Sequence, residues 1–132
     1  MSQPYALFHR ENFPLVVIEF TGEKATPENF KVYLRELEEN YQDQEKIALV
    51  FDARSALELN PIYQGKQAAW MQKKRKLIKT YCQGIAYVVP QPFLRKVLQL
   101  IFKMSPNPVP FQVFESLDQG LAWAEEQLAP QE

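Results

Sequence analysis

The sequence predicts an α/β fold of element order β-βαβαβαβα: a mainly parallel sheet with an antiparallel edge strand and four helices. Three observations lead there. Short apolar, β-branched runs (LVVIEF, KIALVF, GIAYVV) recur along the chain, as buried strands require. Between them lie longer stretches with apolar residues at three- and four-residue spacing, the period of a helix. At 132 residues and 46% hydrophobic composition, the chain has material for one buried core and too little for two ordinary domains. Residues 1–132 therefore read as a single domain. Strands that alternate with helices pair in parallel through right-handed crossovers.

Tyr5 to Arg10 reads as a short strand, and Glu11–Asn12 as a turn. Leu15 to Phe20 is a buried strand closed by Thr21–Gly22. Two strands joined so closely form an antiparallel hairpin, which puts the first at a sheet edge. Thr26–Pro27–Glu28 opens a helix. Thr26 is an N-cap acceptor, and proline suits the first helical position, whose N–H has no intrahelical partner. Phe30, Tyr33, Leu34, Leu37 and Tyr41 form its apolar stripe. Lys46 to Phe51 is the next strand, ended by Asp52, and Ala53 to Leu59 is a loop. Asn60–Pro61 repeats the cap logic and starts a second helix that runs to about Lys79. Gly84 to Val89 is a strand stopped by Pro90, and Gln91 to Met104 a third helix. Pro106, Pro108 and Pro110 hold the next segment in an extended loop. Phe111 to Phe114 is the last strand. Ser116 caps a final helix with Leu117, Leu121, Ala124 and Leu128 on its apolar face and Trp123 beside them.

The net charge of −1 hides a segregation. Residues 1–58 hold 6 Lys/Arg and 11 Asp/Glu, residues 59–114 hold 9 Lys/Arg and no acid, and residues 115–132 hold 5 acids and no base. Such asymmetry points to a basic surface that meets something anionic. The alternative is that the acidic ends fold back on the basic segment and neutralise it. No apolar run approaches the roughly 20 residues of a transmembrane helix. The opening MSQPYALFHR lacks the charged-then-apolar order of a secretory leader, so a cytoplasmic location is expected. One cysteine, Cys82, excludes an internal disulfide and a cysteine-only zinc site. One histidine, His9, leaves little for a metal cluster, and neither metal nor cofactor is expected.

The second half carries a resemblance: GIAYVVPQPFLRKVLQLIF, then PNPVPFQVFESLDQGLAWAEEQL. A buried strand runs into a proline-containing helix start. A proline-rich loop, a short strand ending in Phe and a helix with an Ala-Trp-Ala centre follow. In this the chain resembles the STAS domain and, more closely, the SpoIIAA-like family. The resemblance implies that fold and a binding role. STAS domains of the anti-sigma antagonist type are phosphorylated on a serine in an Asp-Ser-Ser-Gly-like turn that starts the second helix. Counting from Asp52, that turn falls on Asn60, Pro61, Ile62 and Tyr63, where tyrosine is the only hydroxyl residue. Ser55 lies five residues too early. A phospho-switch at the usual position is therefore not expected, and SpoIIAA-like members often lack it. The fold also resembles the core of CRAL-TRIO lipid-transfer domains, an analogy at the level of fold alone.

Catalysis has few candidates. A nucleophilic Cys82 would want a histidine within reach, and His9 sits on a different element. Gly65-Lys66 lacks the upstream glycine and the following Ser/Thr of a phosphate-binding loop. No enzymatic activity is expected. Binding has more. Asp52, Arg54, Asn60 and Tyr63 ring the C-terminal end of a parallel strand, where open α/β sheets place ligands. Lys66, Lys73, Lys74, Arg75, Lys76 and Lys79 form an anion-facing set on the second helix. Ile62, Ala69, Trp70 and Leu77 share a face of that helix, with Lys66 and Lys73 inside the arc. Phe93, Leu94, Val97, Leu98, Ile101 and Met104 are the expected core stripe of the third helix, and Leu100 and Phe102 widen it. Phe93, Leu100 and Phe102 thus become candidates for an apolar interface. The chain is expected to be a non-enzymatic STAS-like interaction or regulatory module that binds a protein partner or itself as a homodimer. The alternative is a carrier or sensor of a small apolar or anionic, lipid-like ligand, with peripheral association to an anionic membrane surface. Nucleic acid is disfavoured by a pI near 5.9.

Overall fold

The structure is a computed structural model that describes residues 4–56, 60–104 and 107–129. β1 (Ala6–His9) and β2 (Leu15–Phe20) form the expected antiparallel hairpin, with Ala6 opposite Phe20 and His9 opposite Val17. β3 (Ile47–Asp52), β4 (Cys82–Val88) and β5 (Phe111–Phe114) add in parallel, so the sheet runs β1-β2-β3-β4-β5. The helices are α1 (Pro27–Glu39), α2 (Pro61–Lys73), α3 (Arg75–Tyr81), α4 (Pro92–Met104) and α5 (Leu117–Leu128).

That strand order decides where the helices go. Each parallel strand is added on the same side of its predecessor, so crossovers of one hand lay their helices on one face of the sheet. Phe30, Tyr33 and Leu37 of α1, Ile78 of α3 and Leu98 of α4 pack there on Val16, Ile18, Leu49, Phe51, Ile85 and Tyr87. Only α5 follows the last strand, and it covers the opposite face: Ala124, Leu117, Leu121 and Trp123 pack on Ala48, Val50, Ala86 and Val88. The α5 side of the two central strands carries small residues because the helix lies close. A Cβ on Gly84 would sit 2.8 Å from Gln127 Cγ and 3.0 Å from Trp123 Cη2. On the crossover face, large rings form a row across the sheet: Phe20 to Phe51 (6.0 Å between centroids), Phe51 to Tyr87 (5.3 Å), Tyr87 to Phe102 (4.8 Å) and Phe102 to Phe111 (4.6 Å).

The caps are where the sequence puts them. Thr26 accepts from Asn29 N (3.1 Å) while the Asn29 side chain accepts from Thr26 N (2.7 Å), a reciprocal box. Asn60 accepts from Ile62 N at 2.9 Å, and Ser116 from Gln119 N at 3.3 Å. Gly22 turns the chain after β2 at φ +91°, a conformation that favours glycine.

Two expectations change. The second helix is not continuous to Lys79: it breaks at Lys74 (φ −98°, ψ 16°), which gives five helices among the described residues rather than four. No glycine or proline marks the break. α3 ends at Tyr81 and β4 begins at Cys82 with no loop between them, so the change of direction is taken at Lys74 instead. Lys74 Nζ is held there by Glu38 Oε1 of α1, at 2.7 Å. Phe93 and Met104 are not core residues of α4. They are 74% and 81% exposed, whereas Phe102 faces inward onto Tyr87 and Phe111. Leu57 to Leu59 of the strand-end loop, and Ser105–Pro106 of the proline loop, lie outside the described residues. Among the described residues no helix is long and apolar enough to cross a membrane.

Candidate functional site

The strand-end residues singled out by sequence divide between the two faces. Asp52, on the α5 side of β3, is 2% exposed. Its carboxylate accepts from Arg54 N (3.1 Å), Nε (2.9 Å) and Nη2 (2.8 Å). A buried carboxylate needs such donors, and Arg54 is the group that supplies them. Arg54 itself is half exposed and feels Glu19 and Asp118 as well, and its pKa is raised chiefly by the Asp52 hydrogen bonds. Asn60 and Tyr63 are elsewhere: Asn60 caps α2, and the Tyr63 ring packs on Phe30 at 5.0 Å with Lys66 Nζ 5.3 Å above it. Asn60 also lines a depression of about 200 Å³ with Tyr5, Phe20, Gly22 and Ala56. The four residues do not converge on one ligand.

Cys82 is buried at the start of β4, and burial pushes its thiol up to about 12, away from the thiolate a nucleophile needs. His9 ends β1 and places Nε2 2.8 Å from Glu19 Oε1 across the hairpin. Sequence reasoning missed this pair, although two polar residues of opposite type on one face of a predicted hairpin were the available signal.

The basic residues behave differently from the strand-end set. Of the nine in 59–114, Lys74 and Arg95 are half-buried and paired, to Glu38 at 2.7 Å and Glu115 at 3.4 Å. The other seven (Lys66, Lys73, Arg75, Lys76, Lys79, Lys96 and Lys103) are all exposed and make no ion pair among the described residues. The acidic ends therefore return to two of the nine. Of the last segment's acids, Asp118, Glu125 and Glu126 sit on α5, across the sheet from α2 and α4, and Glu115 precedes that helix and pairs with Arg95. The sequence segregation survives folding in part: α2, α3 and α4 carry only basic charge and α5 only acidic, while α1, in the same layer as the basic helices, carries both signs.

The basic face is also apolar. α2 has no buried residue, and its exposed side is Ile62, Gly65, Lys66, Ala69 and Lys73. The arc of Ile62 and Ala69 is thus the outer one. Its inner side is Tyr63, Gln64, Gln67 and Met71, and glutamines in that role hide the apolar period from sequence. Gln67 Oε1 accepts from Tyr33 OH at 2.8 Å, and Tyr87 OH donates to Asn107 Oδ1 at 3.2 Å. Two cavities of about 50 and 40 Å³ lie between α2 and α4 over Tyr87, room for a water or two. On α4, Phe93, Leu100 (60% exposed) and Met104 form one outer stripe, and Lys96 and Lys103 the adjoining one. Ile62, 67% exposed, faces out on the neighbouring helix. No family model matches the chain, and no curated protein or solved structure matches it.

Proposed function

We propose that the chain is a non-enzymatic, STAS-like binding module whose working surface is the outer side of α2, α3 and α4, and whose partner is anionic. The single observation that carries this reading is the set of seven exposed basic side chains, without an ion pair among the described residues, on helices that hold no acid. Such a field steers and orients an anionic partner. The apolar side chains among the lysines supply the area that charge alone does not. A carrier of a lipid-like ligand would need an enclosed pocket of some 300 Å³ or more; among the described residues the cavities between α2 and α4 are about 50 and 40 Å³, the two depressions beside Tyr5 about 200 and 240 Å³, and the space of about 640 Å³ beside Trp123 is an open hollow. Self-association through this face is disfavoured by symmetry. A two-fold contact sets the same patch against itself, so lysines would oppose lysines.

The test is ion-exchange retention at pH 7.5. A protein of net charge −1 with evenly mixed charge flows through a sulfonate resin. This one should be retained and should elute with salt, and Lys73→Glu with Lys96→Glu should release it. Flow-through of the parent protein would refute the basic face.

A further inference from the structure

We propose that the occupant of this face is an anionic lipid bilayer, on which α4 lies in the interfacial plane with α2 beside it. The inference rests on the reading above and names its partner. Charge complementarity selects an anion. The form of the surface selects a membrane. α4 is 13 residues long, about 20 Å, and carries Phe93, Leu100 and Met104 in one outer stripe beside Lys96 and Lys103. Apolar side chains flanked by lysines on an exposed helix face are what an interfacial helix presents: the apolar groups enter the acyl boundary and the lysines stay among the headgroups. Ile62, Lys66 and Lys73 extend the same arrangement onto α2, whose Gly65 and Ala69 leave the surface shallow between them. A bilayer accepts such a face without shaped complementarity. α4 is too short to span and lies on the membrane rather than across it.

The other side of the molecule fits this orientation. α5 bears Asp118, Glu125 and Glu126 and no base, so it is repelled by the same surface and turns away from it. A net charge of −1 would give no attraction if it were evenly spread. The two faces make the protein bind in one orientation.

The experiment is flotation of the 132-residue chain with vesicles of mixed phosphatidylcholine and phosphatidylserine, with pure phosphatidylcholine as the control. Binding is expected to the mixed vesicles only, and it should weaken with salt as the Debye length falls from about 10 Å at 0.1 M to about 3 Å at 1 M. Lys96→Gln with Lys103→Gln should weaken binding roughly thirtyfold, since each basic group near an anionic surface contributes about fivefold. Phe93→Ser with Met104→Ser should weaken it further at every salt concentration. All four side chains are exposed, so the variants should unfold in urea as the parent does. Absence of binding to the mixed vesicles overturns the proposal, as does binding that the lysine pair leaves unchanged. Retention on the sulfonate resin without vesicle binding leaves the basic face standing and removes the membrane. A dimer that Phe93→Ser dissolves would mean a second copy covers the stripe, and would also overturn it.

Discussion

Gly84 and Gly65 test the packing of the sheet from opposite sides of the same argument. At Gly84, in β4, an added Cβ would lie 2.8 Å from Gln127 Cγ and 3.0 Å from Trp123 Cη2, where ordinary carbon contacts are about 3.5–4.0 Å. Both the Gln127 stem and the edge of the partly buried indole must give way, which repacks α5 on the sheet. Overpacking of this kind costs about 1–3 kcal/mol, and the backbone entropy regained on replacing glycine offsets about 0.5–1 kcal/mol. Gly84→Ala should therefore destabilise by roughly 1–2 kcal/mol. At Gly65, on the exposed side of α2, nothing lies within 4 Å of the same atom. There the backbone effect acts alone, and Gly65→Ala should stabilise by about 0.5–1 kcal/mol. Urea unfolding reads both, as shifts of the midpoint in opposite directions at constant slope. If Gly84→Ala is as stable as the parent, α5 does not sit where it is described. If Gly65→Ala is destabilising, α2 does not turn that position outward.

Three further outcomes follow from buried polar groups. Removing the Tyr33 hydroxyl (Tyr33→Phe) leaves Gln67 Oε1 without its donor and should cost about 1–2 kcal/mol by urea unfolding; an unchanged midpoint would deny that bond. Arg54→Ala strips Asp52 of two of its three hydrogen bonds and, discounted for the half-exposed arginine, should cost about 1–3 kcal/mol; Arg54→Lys should recover only part of it, and full recovery would mean the bidentate geometry is idle. Cys82, whose thiol is pushed from 9.0 to about 12 in the fold, should be inert to a disulfide reagent at pH 8 until urea unfolds the chain. Because the folded value is the higher, the stability it contributes is complete below pH 9 and is lost between about pH 9 and 12; Cys82→Ala should make the alkaline decline shallower, and an identical decline would refute the burial.

The three central strands, β2 to β4, are legible because they are largely buried on both faces and read as apolar runs. Three of the helix starts are legible because Thr26, Asn60 and Ser116 are short polar residues that serve the orphan N–H groups, as the bonds to Asn29, Ile62 and Gln119 confirm. The inner side of α2 is not legible. Gln64 and Gln67 stand half-buried where apolar residues would be expected, and the Tyr33 hydroxyl, 34 positions earlier, partners the Gln67 amide there. The break at Lys74 is hidden for a similar reason: its cause is the missing loop before β4 and a glutamate on another helix. On α4 the apolar positions run more than halfway round, so periodicity alone could not say which of Phe93, Phe102 and Met104 faces in. Tyr87 and Phe111, which fix Phe102, come from two different strands.

Topology is what turns the charge pattern into a surface. A sheet whose strands are added alternately on either side would have distributed α1 to α4 over both faces and mixed the acidic and basic segments. Here the order β1-β2-β3-β4-β5 advances in one direction, so every crossover helix lands on one face and the terminal helix on the other. The acid-free stretch 59–114 supplies α2, α3 and α4, and the base-free stretch after it supplies α5. Within the crossover layer α1 is the mixed element, and it is α1 that lends Glu38 to the basic segment. Blocks of charge along the chain become faces of the molecule only because the sheet grows one way. Exchanging the exposed charges of α5 and α2 should therefore mix the signs on both sides and weaken retention on the sulfonate resin, while leaving the net charge and the urea midpoint near those of the parent.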